Sequence, residues 1–65
     1  MTAKQYRAAI ERLGLSQERA GELLGASKRS GQNWAANGPP PAEAILIRLM
    51  LAGKVTAGDI EGARK

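Results

Sequence analysis

Apolar positions recur along the chain at helical spacing, and no segment alternates apolar and polar residues as a half-buried strand would. Near the N-terminus, for example, Tyr6, Ile10 and Leu13 fall on one side of a helix. Glycine and proline residues divide the chain into five such segments, which predicts an all-α fold in one domain over residues 1–65. The expected helices span residues 3–13, 17–24, 28–36, 42–52 and 57–63.

Residues that favour helix N-caps support these boundaries. The expected caps are Thr2 with Gln5, Ser16, Ser27, and Thr56 with Asp59. Gly14, Gly25 and Gly53 follow the first, second and fourth segments, where a glycine favours helix termination. Tyr6 is expected in the core with its hydroxyl at the surface.

The fourth segment, residues 42–52, is apolar on nearly every side. Ile47 and Leu51 fall away from its main stripe, which makes them a candidate surface for a homodimer. Alternatively, the fifth segment folds back and covers them with Val55 and Ile60. We favour this second arrangement, because a domain this small needs every apolar contact. The main stripe, expected to face the core, consists of Ile45, Leu46, Leu49 and Met50.

The third segment, by contrast, contains one large apolar residue, Trp34, which we expect to anchor it to the core. The remaining faces are polar, and they carry the side-chain types that pair with base edges. Arginine and lysine donate to guanine, and glutamine and asparagine pair with adenine. A solvated helix surface is the plainer interpretation of the same pattern. The candidate base-reading residues are Lys28, Arg29, Gln32 and Asn33.

The join between the second and third segments favours the DNA interpretation. Gly25-Ala26-Ser27 forms a three-residue turn between two short helices, as in a helix-turn-helix. Ala20-Gly21 supplies the small residues that such a helix crossing needs. Residues 23–42 contain no acidic side chain that would repel a phosphate.

Composition excludes several other functions. The chain has ten Lys and Arg, six Asp and Glu, no His and no Cys, for a net charge of +4. We therefore expect no metal site, no cofactor and no enzyme activity. The longest apolar run is far shorter than the roughly 20 residues of a membrane span. These observations predict a cytoplasmic protein with no membrane partner and an anionic ligand.

The stretch from Leu13 to Gly38 resembles the Cro/C1-type (XRE, lambda-repressor-like) helix-turn-helix family. The similar elements are L-S-Q-E at the start of the first motif helix, L-L-G-A-S at the turn and N-W-A-x-N-G at the end of the second motif helix, the recognition helix. The resemblance covers about residues 2–52. It implies a five-helix domain of a prokaryotic or phage DNA-binding regulator, commonly a repressor that binds double-stranded DNA as a dimer in the nucleoid.

The resemblance also assigns roles. It implies base reading by Lys28, Arg29 and Gln32, with Asn33 as a flanking contact. Gln17 and Asn37 match positions that contact the DNA backbone, Asn37 in the loop after the recognition helix. Ser27 is expected mainly as a cap whose hydroxyl also reaches phosphate.

One position departs from the family pattern. Gly31 stands where the family usually has valine or isoleucine facing the core. We therefore expect a recognition helix that is loosely packed, bent or ordered only on DNA, unless Trp34 or a side chain of the fourth segment fills the gap. Gly31→Val should then raise thermal stability.

Two functions follow from these observations. The leading one is sequence-specific binding of double-stranded DNA by a small repressor-like regulator. The alternative is a protein–protein interaction module, antitoxin-like or accessory, that uses the apolar helix over residues 42–52.

Overall fold

The computed structural model describes residues 1–64, which form five α-helices and no strand. This confirms the all-α prediction, and each helix end lies within one residue of its expected position. None of the helices in residues 1–64 is long and apolar enough to cross a membrane. The helices are α1 (Ala3–Arg12), α2 (Gln17–Leu23), α3 (Lys28–Asn37), α4 (Pro41–Leu51) and α5 (Ala57–Arg64).

Side-chain caps begin four of the helices, as predicted. Thr2 and Gln5 form a reciprocal capping box at α1, and Thr56 and Asp59 exchange the same two hydrogen bonds at α5. The hydroxyls of Ser16 and Ser27 accept from backbone N–H groups in the first turns of α2 and α3. Helix α4 begins with Pro41 instead, which has no backbone N–H that needs an acceptor.

The ends of α1, α2 and α4 share one geometry. Gly14, Gly25 and Gly53 each adopt a positive φ of 72–83° after the helix. The residue after each glycine donates its N–H back to the helix, as Leu15 does to Ile10 O at 2.9 Å. This is the Schellman arrangement, which turns the chain sharply and satisfies terminal carbonyls.

The core is built around Tyr6, Leu23 and Ile47, whose side chains are fully buried. The Tyr6 ring meets Trp34 edge to face, with ring centroids 6.0 Å apart and planes at 89°. The Tyr6 hydroxyl is buried and donates to the Gly31 carbonyl oxygen at 3.1 Å. The expectation of a surface hydroxyl is therefore wrong, because the ring extends across the core to α3.

Helix α4 presents a different face to the core from the expected one. Ile47 is fully buried, and Ala44 and Met50 lie on the same buried side. Ile45, which was assigned to the main stripe, is 55% exposed. In a helix that is apolar on nearly every side, hydrophobicity does not distinguish the inner face, and packing against α1 decides it.

This orientation corrects the candidate dimer surface. Ile47 has no exposed area with which to contact a second chain. Leu51 is half-buried and packs against the core cluster. Ile60 of α5 joins that cluster, and Val55 is half-buried, but α5 docks mainly against α2.

The closest approach between helices lies where α2 crosses α3. A Cβ atom on Gly21 would lie 2.7 Å from the Gly31 nitrogen and would overlap the Ser27 carbonyl oxygen. A Cβ atom on Gly31 would lie 2.9 Å from the Gly21 nitrogen and would overlap the Gln17 carbonyl oxygen. The two helices thus touch backbone to backbone. This agrees with the small residue expected at Gly21, and it contradicts the expected gap at Gly31.

The C-terminus of α3 depends on α1 for a donor. The three prolines at 39–41 have no N–H groups, so they leave carbonyls at the end of α3 without the usual partners. Gly38 donates to Trp34 O at 2.8 Å, and the Arg7 guanidinium donates to the Ala35 carbonyl oxygen. Arg7 and Tyr6 therefore fix α3 to α1 through two backbone carbonyls one helical turn apart.

We expect Gly31→Ala to lower the free energy of unfolding by about 1–3 kcal/mol, because its methyl group must displace backbone atoms of α2. Gly31→Val should cost more. Gly62→Ala in α5 is the matched control: nothing lies within 4 Å of its Cβ position, so a gain of about 0.4–1 kcal/mol is expected. Thermal and urea unfolding measure both. A stabilised Gly31→Ala protein would contradict the crossing geometry.

Tyr6→Phe should cost about 0.5–1.5 kcal/mol through loss of the buried hydrogen bond. Burial also raises the pKa of the Tyr6 hydroxyl above its ordinary value of 10.0. The folded state thus binds this proton more tightly than the unfolded state. The contribution of Tyr6 is fully present below about pH 10 and is lost as the pH rises above it. The stability difference between the wild type and Tyr6→Phe, measured by urea unfolding at increasing pH, should therefore shrink in alkali. A constant difference would exclude this linkage.

Candidate nucleic-acid interface

Helix α3 has one exposed side, which we call the outer face of α3. Its members form two adjacent rows, each with a spacing of four residues, so they make a single strip along the helix. Gly31, Trp34 and Ala35 lie on the opposite, buried side. The outer face consists of Lys28, Arg29, Gln32, Asn33, Ala36 and Asn37. The structure thus brings the four candidate base-reading residues together on one exposed surface.

Trp34 holds this face outward. The indole is 7% exposed and packs edge to face on Tyr6, so the helix cannot rotate without removing it from the core. The Tyr6 hydroxyl and the backbone contact at Gly21 restrain the same turn of α3 from two other sides. The outer face is therefore presented by a helix that α1 and α2 fix in place.

The positive charges at the start of α3 do not stabilise the helix. Lys28 and Arg29 occupy its first two positions, and no acidic residue lies in that first turn. The N-terminus of a helix carries partial positive charge, so cations there are unfavourable by a few tenths of a kcal/mol. Neither side chain makes an ion pair or a hydrogen bond within residues 1–64. Both are left available to an anionic partner.

The three expected phosphate contacts lie around this face. Ser27 caps α3, with its Oγ accepting from Ser30 N at 3.1 Å, and it remains exposed. Gln17 is the first residue of α2, is half-buried, and its carbonyl faces Gly31. Asn37 is exposed but is the last residue of α3 and not part of the loop, because the helix continues one residue further than expected.

Glu18 is a member of this surface that the linear sequence did not indicate. Its Oε2 accepts a hydrogen bond from Gln32 Nε2 at 3.4 Å. Residues 23–42 contain no acidic residue, but the first turn of α2, which contains Glu18, packs against α3 in the fold. The contact between Glu18 and Gln32 could have been predicted from the glycine pair at the helix crossing. Glu18 lies one turn before Gly21, and Gln32 directly follows Gly31.

Two other arginines make contacts between α2 and α5, away from the outer face of α3. Arg19 of α2 forms an ion pair with Glu61 of α5, the one ion pair within residues 1–64. Arg64 donates to the Leu23 carbonyl oxygen on the same side, at 3.4 Å. These contacts engage two of the arginines in holding α5, and they leave Lys28 and Arg29 on the outer face.

No family model, no curated protein and no solved structure matches this chain. A functional conclusion therefore rests on the residues and geometry of the surface itself.

Proposed function

We propose that this chain is a lambda-repressor-like domain that binds double-stranded DNA in a sequence-specific manner, with α2 and α3 as its helix-turn-helix. The observation that carries the proposal is the outer face of α3. It gathers two cations and two amides on a helix whose opposite side is buried. The biological setting that fits is a small prokaryotic or phage transcriptional regulator acting at the nucleoid in the cytoplasm.

The dimensions of α3 suit this role. Ten residues make a helix about 15 Å long, and the B-DNA major groove, about 12 Å wide, admits one helix. In this arrangement Lys28 and Arg29 donate to guanine O6 and N7. Gln32 and Asn33 pair with adenine N6 and N7.

Residues beside the groove then contact the sugar-phosphate backbone. Gln17 and Ser27 lie on the α2 side of α3, and Asn37 lies at its far end. Such contacts fix the register of the protein on DNA but carry no sequence information. Glu18 has the opposite effect on affinity, because its carboxylate repels phosphate. Its carboxylate also accepts a hydrogen bond from the Gln32 amide, so a contact between Gln32 and a base competes with this internal hydrogen bond.

The interaction module based on helix 42–52 receives less support. Its second apolar stripe required Ile47 at the surface, and this residue is fully buried. DNA binding is therefore the function proposed for the chain.

Titration of isotope-labelled protein with duplex DNA should first shift the amide resonances of Lys28, Arg29, Gln32 and Gln17. Binding should weaken steeply as salt is raised, because Lys28 and Arg29 displace condensed counterions. The measurement is a series of heteronuclear NMR spectra at several salt concentrations. Shifts confined to Leu51 and α5, or no shifts at all, would exclude the proposed interface.

Arg29→Ala should cost about 1–3 kcal/mol on a duplex selected for binding from a random pool, and much less on unselected DNA. Lys54→Ala removes the same charge from an exposed residue outside the outer face, so it is the matched control. It should weaken both duplexes slightly and equally. Fluorescence anisotropy with the four protein–DNA pairs measures the effect. Equal losses for the two variants would assign Arg29 to general charge attraction and not to base reading.

A further inference from the structure

A groove between α1 and the end of α4 is not used by the proposed DNA interface. Its volume is about 290 Å³. The α1 side is formed by positions 5, 8, 9 and 12, which repeat as one face of a helix. The groove is lined by Met1, Gln5, Ala8, Ala9, Arg12, Arg48 and Leu51.

The walls of this groove are apolar and its edges are cationic. Met1, Ala9 and Leu51 are half-buried or buried, whereas Arg12 and Arg48 are exposed. The two arginines come from different helices, and neither makes an ion pair or a hydrogen bond within residues 1–64. No acidic residue lines the groove. The surface thus offers apolar contact together with two unneutralised guanidinium groups.

We propose that this groove binds an acidic amphipathic segment of a partner protein, which inserts apolar side chains between α1 and α4 and pairs its carboxylates with Arg12 and Arg48. The guanidinium fork matches a carboxylate in a bidentate geometry. A partner segment fits better than a small ligand, because Ala9 is the one buried residue that lines the groove, whereas small-molecule sites enclose most of the ligand. A helix laid in a groove presents its apolar side chains at i, i+3, i+4 and i+7, which is also the spacing of the α1 positions that line this groove.

The probe is a synthetic helical peptide with leucine at i, i+3, i+4 and i+7 and glutamate at the other positions. Its control is the same peptide with lysine in place of glutamate. The acidic peptide should shift the amides of Ala8, Ala9 and Leu51, and the basic peptide should not. Binding of neither peptide, or equal binding of both, would overturn the proposal.

Two pairs of protein variants test the apolar and ionic parts separately. Ala8→Leu fills the groove from an exposed position and should abolish peptide binding, whereas Ala63→Leu, also exposed, should not. The double variant Arg12→Gln/Arg48→Gln should weaken the acidic peptide about tenfold, as expected for two ion pairs at a partly desolvated edge. Lys4→Gln/Lys54→Gln removes the same charge outside the groove and should leave affinity nearly unchanged. Equal weakening by both double variants would show attraction to net charge alone and overturn the site.

These peptide measurements contain no DNA, so their outcome is independent of the proposed interface on α3. Unfolding curves for each variant, compared with that of the wild type, verify that a loss of binding is not a loss of fold. All six substituted positions are exposed, and glutamine preserves helix propensity at the three glutamine sites that lie in helices.

Discussion

The contact between the backbones of α2 and α3 is the constraint on which the rest of the domain depends. Gly21 and Gly31 leave no space for a Cβ atom at the crossing, so the two helix axes approach as closely as main chains permit. The outer face of α3 then points away from the crossing, and only Gln32 on it reaches α2, at Glu18. On the buried side, Trp34 meets Tyr6, and the Tyr6 hydroxyl reaches the carbonyl of Gly31 itself. One pair of glycines thereby sets the position of the central helix and of the side chains it exposes.

Local chemistry made the helices of this fold predictable from sequence. Thr2, Ser16 and Ser27 are caps because their hydroxyls satisfy N–H groups within three residues, and that distance is visible along the chain. The glycines after α1, α2 and α4 act over a similarly short range. The same reasoning identified Lys28, Arg29, Gln32 and Asn33 as exposed, since a helix with one large apolar residue has one side to bury.

Features that depend on how the helices pack against one another were harder to predict from the sequence. Ile45 and Ile47 are equally apolar, and the choice between them belongs to the packing of α4 on α1. The glycine at position 31 predicts a gap in the core, because the sequence shows that a side chain is missing and not how near the backbone of α2 lies. The contact between Glu18 and Gln32 is hard to predict for a related reason. It joins two helices, and the residues next to Glu18 in the sequence do not indicate it.

The side chains on the outer face of α3 do little of the work of folding. Apart from the weak contact between Gln32 and Glu18, the four candidate base-reading residues have no partner within residues 1–64, while the opposite side of the helix carries the burial and the hydrogen bonds to α1. Substitutions at these four positions should therefore change the free energy of unfolding little. The outer face of α3 can therefore vary in sequence without a compensating change elsewhere in the domain.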